Sequence, residues 1–483
     1  MVLAAEATMA FVTEVKFEQY HPENTLGVQE SRPRLSWKIS NAPSGFQQAG
    51  YEIELSDKRN GVWSPHSTVQ CTSGDSTLVP WPFNPITSRE EVSIRVRIWD
   101  EDRNASDWSL PSNLEVGLLD RSDWKCERIT ASWAGKTPDP EPEHFYLNHV
   151  HITGPVQRAR LYVTAQGVYE AEINGRRVGD YFMAPGWTTY NYRLQYQTYD
   201  VTNLLRGGAN SLGIRVAEGW FCGRIGFEGG HRNIWGFQPA LMAQLEITYT
   251  DGNFDMICTD GDWKVKPGPI RLAEIYDGEK YDARLEVTDP SSFNPEEMTQ
   301  NILWSSAILL PPLPDSIELT AGYGEPVRRI EVIKPVETIL TPSGRTIIDF
   351  GQNLVGYLRL KNIKGPRDHK ITLTHAEVLE NGELGTRPLR ICKATDEYIL
   401  KGDESGESYE PRFTFHGFRY AEIQNWPGEL DLSSIEAVVC HTDMKPAGSF
   451  SCSDPLLNKL YENIVWGMRG NFLSVPTDCP QVS

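Results

Sequence analysis

The chain has 483 residues, a net charge of −19 and 39% hydrophobic residues, with 14 Trp, 19 Tyr and 17 Phe. That content is enough for several cores and excludes a disordered chain. The acidic balance argues against nucleic acid and anionic membrane surfaces as partners, because both select basic patches, and it suits a neutral ligand.

Length predicts roughly three domains. The 40 Gly and 32 Pro, set among short runs rich in Thr, Val, Ile and Tyr, predict a mostly β chain. No apolar run is long enough to span a bilayer. The opening MVLAAEATMAFVTEV carries Glu6 and lacks both a basic start and a long apolar stretch, so it predicts no secretory signal and a cytoplasmic protein. Cys71, Cys126, Cys222, Cys258, Cys392, Cys440, Cys452 and Cys479 form no CxxC pair, and reduced thiols are expected rather than a disulfide framework.

Residues 1–119 read as a first β-sandwich. RPRLSWKI, YEIELSD and SIRVRIWDED alternate apolar and polar positions between Pro and Gly clusters, and Trp37 and Trp99 are candidate core residues. The ending SDWSLPSNLEVG resembles the last strand of fibronectin type III modules, and the length suits one such sandwich. No site chemistry is visible here.

Residues 120–310 carry the candidate binding chemistry. ARLYVTAQGVYEAEING predicts two strands broken at Gln166-Gly167 and ending in the hairpin turn Asn174-Gly175. Trp187, Tyr190, Tyr192, Trp220, Phe221 and Trp235 are a dense set of rings, of the type that stacks on sugar C–H faces; alternating aromatics on strands also pack cores. The Gly-rich loop GRIGFEGGHR presents Arg224, Glu228, His231 and Arg232. It lacks the Gly-Lys-Ser/Thr ending of a phosphate loop. Asp180, Asp277, Glu279 and Asp282 are weak candidates for calcium, which takes several oxygen ligands; surface turns explain them equally well.

The Pro-rich LLPPLPDS separates this region from residues 311–446, a second run of strands. His375, Glu377 and His416 invite a metal reading, but HExxH is absent and packed histidines are the plainer expectation. Residues 447–483 predict a lone amphipathic helix, with Ser453 capping Asp454 and Pro455 and with Leu457, Leu460, Ile464, Val465, Met468 and Phe472 at helical spacing. PTDCP follows.

SDPLLNKLYENIVWGMRGNFLSVPTDCPQ resembles the first barrel helix and following loop of α-L-rhamnosidases, glycoside hydrolase family 78. VGDYFMAPGWTTYNYRLQYQTYD, DFGQNLVGYLRL, HAEVL and FTFHGFRYAEI resemble the same family. The resemblance implies a fibronectin-like sandwich, a galactose-binding-like jelly roll, a second β-sandwich and the start of a truncated (α/α)6 barrel. It implies hydrolysis of terminal α-L-rhamnosyl residues with inversion, rhamnose-containing glycosides or glycans as partners, and no required cofactor, though some members bind calcium. Inversion takes two carboxyl groups, one as acid and one as base. In the family both lie on the barrel beyond the residues present here. The resemblance implies that Asp478 is a carboxylate holding sugar hydroxyls; capping of its own loop explains it equally well. The expectation is a chain inactive alone; the alternatives are a non-catalytic rhamnose- or glycan-binding protein and a fragment without independent function.

Overall fold

Alternating apolar positions in residues 11–116 form strands on both sides of one core, as a computed structural model of the protein shows; it describes residues 10–22, 25–59, 62–226, 229–286 and 304–477. One pair is Phe11–Phe17 with Leu35–Ser40. The other sheet orders Leu26–Val28, Ser112–Val116, Glu91–Trp99, Gly50–Arg59 and Val62–Cys71. Phe17, Leu35, Ile53, Ile94 and Val96 are sealed between them. Trp37 lies in this core with its ring edge-on to Tyr51; Trp99 is half-buried and lies across Gly50, where a Cβ would sit 2.3 Å from its ring. Residues 1–125 and 321–324 form one unit, and the rest of the chain forms another.

The second unit begins with a two-sheet sandwich. One sheet orders Ile308–Leu309, Ile129–Thr130, Ala240–Tyr249, Val156–Gln166 and Arg193–Asp200. The facing sheet orders Arg176–Arg177, Val168–Ile173, Gly208–Ala217, His144–Ile152, Lys264–Pro267 and Ser305–Ser306. The expected break at Gln166-Gly167 is where the chain leaves one sheet for the other. Gly167 has φ 135, and a Cβ there would meet the Ala217 carbonyl at 2.3 Å, so the crossing needs glycine. Asn174 and Gly175, at φ 52 and 71, form the predicted hairpin turn. Leu161, Val163, Ile214, Val216, Leu245 and Trp263 fill the core.

The next sheet is built around the long strand Thr346–Ile363, flanked by His416–Gln424 and Ile435–Thr442. Lys370–Ala376 and Thr395–Ile399 extend it on one side. Two strands from much earlier in the chain complete that edge: Gly278–Asp282 pairs in parallel with Thr395–Ile399, and Ile270–Glu274 pairs with Gly278–Asp282. Leu358, Leu360, Ile371, Leu373 and Phe418 are fully buried beneath the sheet.

Helix Pro455–Gly470 follows. Asp454, not Ser453, is its cap: its carboxylate accepts the Leu456 N–H at 2.8 Å, and Pro455 takes the first helical position. An ionised carboxylate is a stronger acceptor than a hydroxyl at the positive end of the helix. Phe472 falls outside the helix, in a hairpin of Phe472–Leu473 with Val475–Pro476. Leu456, Leu457, Leu460, Ile464 and Met468 are exposed. Among the described residues no helix is long and apolar enough to cross a membrane, and the seven described cysteines are free thiols.

Candidate functional site

The turn from Met183 to Tyr190 positions the aromatic set. Met183 lies at φ 57, Ala184–Pro185 is cis, and Gly186 lies at φ 93. Trp187 is half-buried and stacks on Trp220, with ring centroids 6.1 Å apart and planes at 11°. Trp220 is 1% exposed, so it is a floor beneath Trp187 and offers no open face to a ligand. It belongs to the short helix Gly219–Cys222, entered through Gly219 at φ 49 against Val168. Buried Tyr190 meets Phe221 and half-buried Trp235 edge-on. Tyr192 stands out at 68% exposure. The Trp235 indole N–H is buried without a hydrogen-bond partner.

The two arginines of the Gly-rich loop are held by acids. Arg232 bridges Glu218 and Glu274, both almost fully buried. Arg224 bonds Asp277, takes Glu274 as acceptor for its backbone N–H at 3.2 Å, and lies over the Tyr276 ring. Lys393 closes the chain on Asp277 at 2.9 Å. Burial pushes the Glu218 carboxyl up to about 7, against the pull of Arg232. Sequence reasoning named Arg224 and Arg232 as ligand groups; their guanidinium groups lock the loop onto the strand Ile270–Glu274. It missed Glu218 and Glu274, because an isolated acid at a strand end carries no motif. The His231 side chain is exposed, and its backbone exchanges two hydrogen bonds with Ile225. Glu228 lies outside the described residues.

The calcium candidates are spread out and already engaged. Asp180 is exposed and pairs with Arg328 at 2.8 Å. Asp277 serves Arg224 and Lys393. Glu279 is fully buried and accepts the Tyr409 O–H at 3.2 Å and the Arg412 N–H at 3.0 Å. Asp282 binds Arg284 at 2.7 Å. The one group among the described residues with metal-like spacing is His375, Asp396 and His416. Its two rings stack at 4.3 Å and 22°, and both Nε2 atoms face the Asp396 carboxylate, His416 at 3.1 Å and His375 at 3.9 Å. The His416 ring donates to Asp396 at 3.1 Å, and His375 Nδ1 meets the Ala394 carbonyl at 2.9 Å. That is a packed, hydrogen-bonded histidine pair; burial pushes the His375 ring down to about 3, so it is neutral.

Asp478 also lies outside the described residues, but the segment before it does not. Ser474, at φ 73 in the tip of the hairpin, donates its N–H to Thr442 Oγ1 at 3.1 Å. Its own Oγ accepts the backbone N–H of Trp187 at 2.9 Å. A Cβ on Gly186 would sit 2.5 Å from that oxygen, so glycine is what allows this approach. The aromatic turn of the jelly roll and the segment leading to Asp478 are therefore joined across 287 residues of sequence.

Four family models cover the chain in the order these domains appear. Residues 12–120 match a Rha78A-like N-terminal immunoglobulin domain, and 154–331 match the α-L-rhamnosidase N-terminal domain. Residues 339–441 match the bacterial α-L-rhamnosidase concanavalin-like domain, and 445–483 match the bacterial α-L-rhamnosidase 6 hairpin glycosidase domain. The crystal structure of an α-L-rhamnosidase from Aspergillus terreus is similar at TM-score 0.91 and 44% identity, over 98% of this chain and 54% of that one. That of the Streptomyces avermitilis α-L-rhamnosidase complexed with L-rhamnose gives 0.85 and 29%, over 98% and 61%. An α-L-rhamnosidase from Alteromonas sp. is 36% identical over 95% of this chain and 50% of its own length. In their order along the chain these matches are those of the N-terminal region of the α-L-rhamnosidases of glycoside hydrolase family 78, and the chain corresponds to that region. It spans half to three-fifths of the curated relatives it matches.

Proposed function

We propose that this chain serves the hydrolysis of terminal α-L-rhamnosyl bonds by inversion, and that its own part is to hold the sugar rather than to transfer protons. The observation carrying this reading is the hydrogen bond from the Trp187 backbone N–H to Ser474 Oγ, which joins the turn bearing half-buried Trp187 to a residue four positions before Asp478 in sequence. A ring and a carboxylate supply the two contacts a rhamnosyl unit asks for: a face for its C–H groups and an acceptor for its hydroxyls. In support, the Streptomyces avermitilis relative is described with L-rhamnose bound. Inversion also asks for an acid and a base about 6.5–9.5 Å apart around the scissile bond. The carboxylates of the aromatic region, Glu218, Glu274 and Asp277, are committed to arginines instead.

The test is calorimetric titration of the 483-residue polypeptide with L-rhamnose, beside an assay for nitrophenol release from its α-L-rhamnoside. The expected result is binding without release. Trp187→Ala and Asp478→Asn each weaken binding by about tenfold, the equivalent of one lost stacking or charge-assisted contact. Calcium leaves the affinity unchanged. Release of nitrophenol, or binding indifferent to both substitutions, overturns the reading.

A further inference from the structure

Helix Pro455–Gly470 lies against the second sandwich with an unusual face turned inward. Lys459, Asn463, Trp466, Gly467 and Gly470 recur at helical spacing and line a cavity of about 340 Å³, while the leucines face outward. The opposite wall is a bulge. The ladder of Thr346–Ile363 with His416–Gln424 is interrupted between Asp349 and Leu354, with Gly351 at φ 77, and this turns Gln352 and Asn353 into the cavity wall. Asn353 donates to Glu377 Oε1 at 2.7 Å, and Asn471 closes the end.

Two polar atoms of this wall are buried without partners: the donor Gln352 Nε2 and the acceptor Asn471 Oδ1. Buried polar atoms in native proteins are nearly always satisfied, by protein, water or ligand. The wall offers amide donors and acceptors, one aromatic ring, one acid and one base, so its charges balance. That set matches a ligand with many neutral hydroxyls and some C–H surface, and the volume falls in the range of small-molecule sites. Nothing in the rhamnosyl-holding reading uses this cavity.

We propose that the cavity between helix Pro455–Gly470 and strand Thr346–Ile363 binds a neutral monosaccharide unit, as a subsite separate from the Trp187 region. Gln352 donates to one hydroxyl, Asn471 accepts from another, and Asn463 adds an amide from the helix. The experiment is ligand-observed saturation-transfer NMR on the 483-residue polypeptide with methyl α-L-rhamnoside and methyl α-D-glucoside, in a Trp187→Ala background that removes the other region. Transfer is expected with a Kd of millimolar order, weakened about 3–10-fold by Gln352→Leu, as for one lost hydrogen bond. Asn463→Leu, at an exposed helix position whose change leaves the fold intact, weakens it similarly. Absence of transfer to either glycoside, or transfer unchanged in both variants, overturns the proposal and assigns the cavity to water. Failure of the Trp187 and Asp478 substitutions to alter rhamnose binding would leave this result standing.

Discussion

Replacing Glu170 by Gln tests how the jelly roll is held to the sandwich that follows it. Glu170 lies on the strand Val168–Ile173, and its side chain is 4% exposed. It accepts hydrogen bonds from Arg412 at 2.6 Å and Arg329 at 3.4 Å and forms an ion pair with Arg177 at 2.8 Å. Burial alone would raise its pKa; the charges of Arg412, Arg177 and Arg329 outweigh burial and lower it. Breaking a buried pair by removing one partner costs about 3–5 kcal/mol, because the other charge is left uncompensated. Arg412 is 35% exposed along its side chain, so water screens part of that interaction and the lower end, about 3 kcal/mol, is expected. The assay is urea unfolding of the 483-residue polypeptide at pH 7, following the transition of residues 126–483. A lowered pKa means the stabilisation is complete above the ordinary glutamate value and lost as pH falls through the folded one. The gap between wild type and Glu170→Gln should therefore shrink on acidification below about pH 4. A loss under about 1 kcal/mol at pH 7, or a gap that does not narrow in acid, would refute the reasoning.

Three further outcomes follow from the same structure. Burial raises the Glu279 carboxyl to about 8, so its contribution is complete below the ordinary glutamate pKa and lost as pH rises through 8; Glu279→Gln should leave the melting temperature unchanged at pH 5 and raise it at pH 9, and a drop at both would show that the charged form is the native one. Gly186→Ala, at φ 93 and 2.5 Å from Ser474 Oγ, should cost about 1–3 kcal/mol, and adding Ser474→Ala should recover only part, because the backbone strain remains; full recovery in denaturant titrations would mean the clash alone matters. Leu460→Glu and Ile464→Glu, at 53% and 60% exposure, should change stability by less than about 0.5 kcal/mol while reducing self-association in sedimentation; a large stability loss would mean these leucine-face residues are packed after all.

The β architecture was legible wherever one face of a sheet meets a core. Period-two alternation predicted Leu35–Ser40, Gly50–Arg59 and Glu91–Trp99 but not Val62–Cys71, and turn chemistry predicted the hairpin at Asn174-Gly175. The cap of the last helix was misread by one residue, because Ser453 and Asp454 both satisfy the local pattern and only the Leu456 N–H chooses between them. The aromatic set was legible as a cluster but not by layer: Trp187 and Trp220 are equally large and apolar, and only tertiary packing leaves one half-open and seals the other. The loop arginines show a further limit. Charge in a Gly-rich loop reads as ligand chemistry until Glu218, just before the loop, and Glu274, on a later strand, arrive to neutralise it. No local pattern encodes the Trp187–Ser474 contact, since each half of it is an ordinary turn.

The parallel pairing of Gly278–Asp282 with Thr395–Ile399 sets a timetable for synthesis on the ribosome. The earlier strand emerges on the order of 100 residues before its partner, and at about 5–20 residues per second it waits roughly 5–20 s. During that interval its hydrogen-bonding edge and the neighbouring Ile270–Glu274 hairpin have no sheet to join. An open edge of this kind recruits other strands, so slow translation through residues 283–395 would favour misassembly, and a chaperone acting there would have a defined client segment.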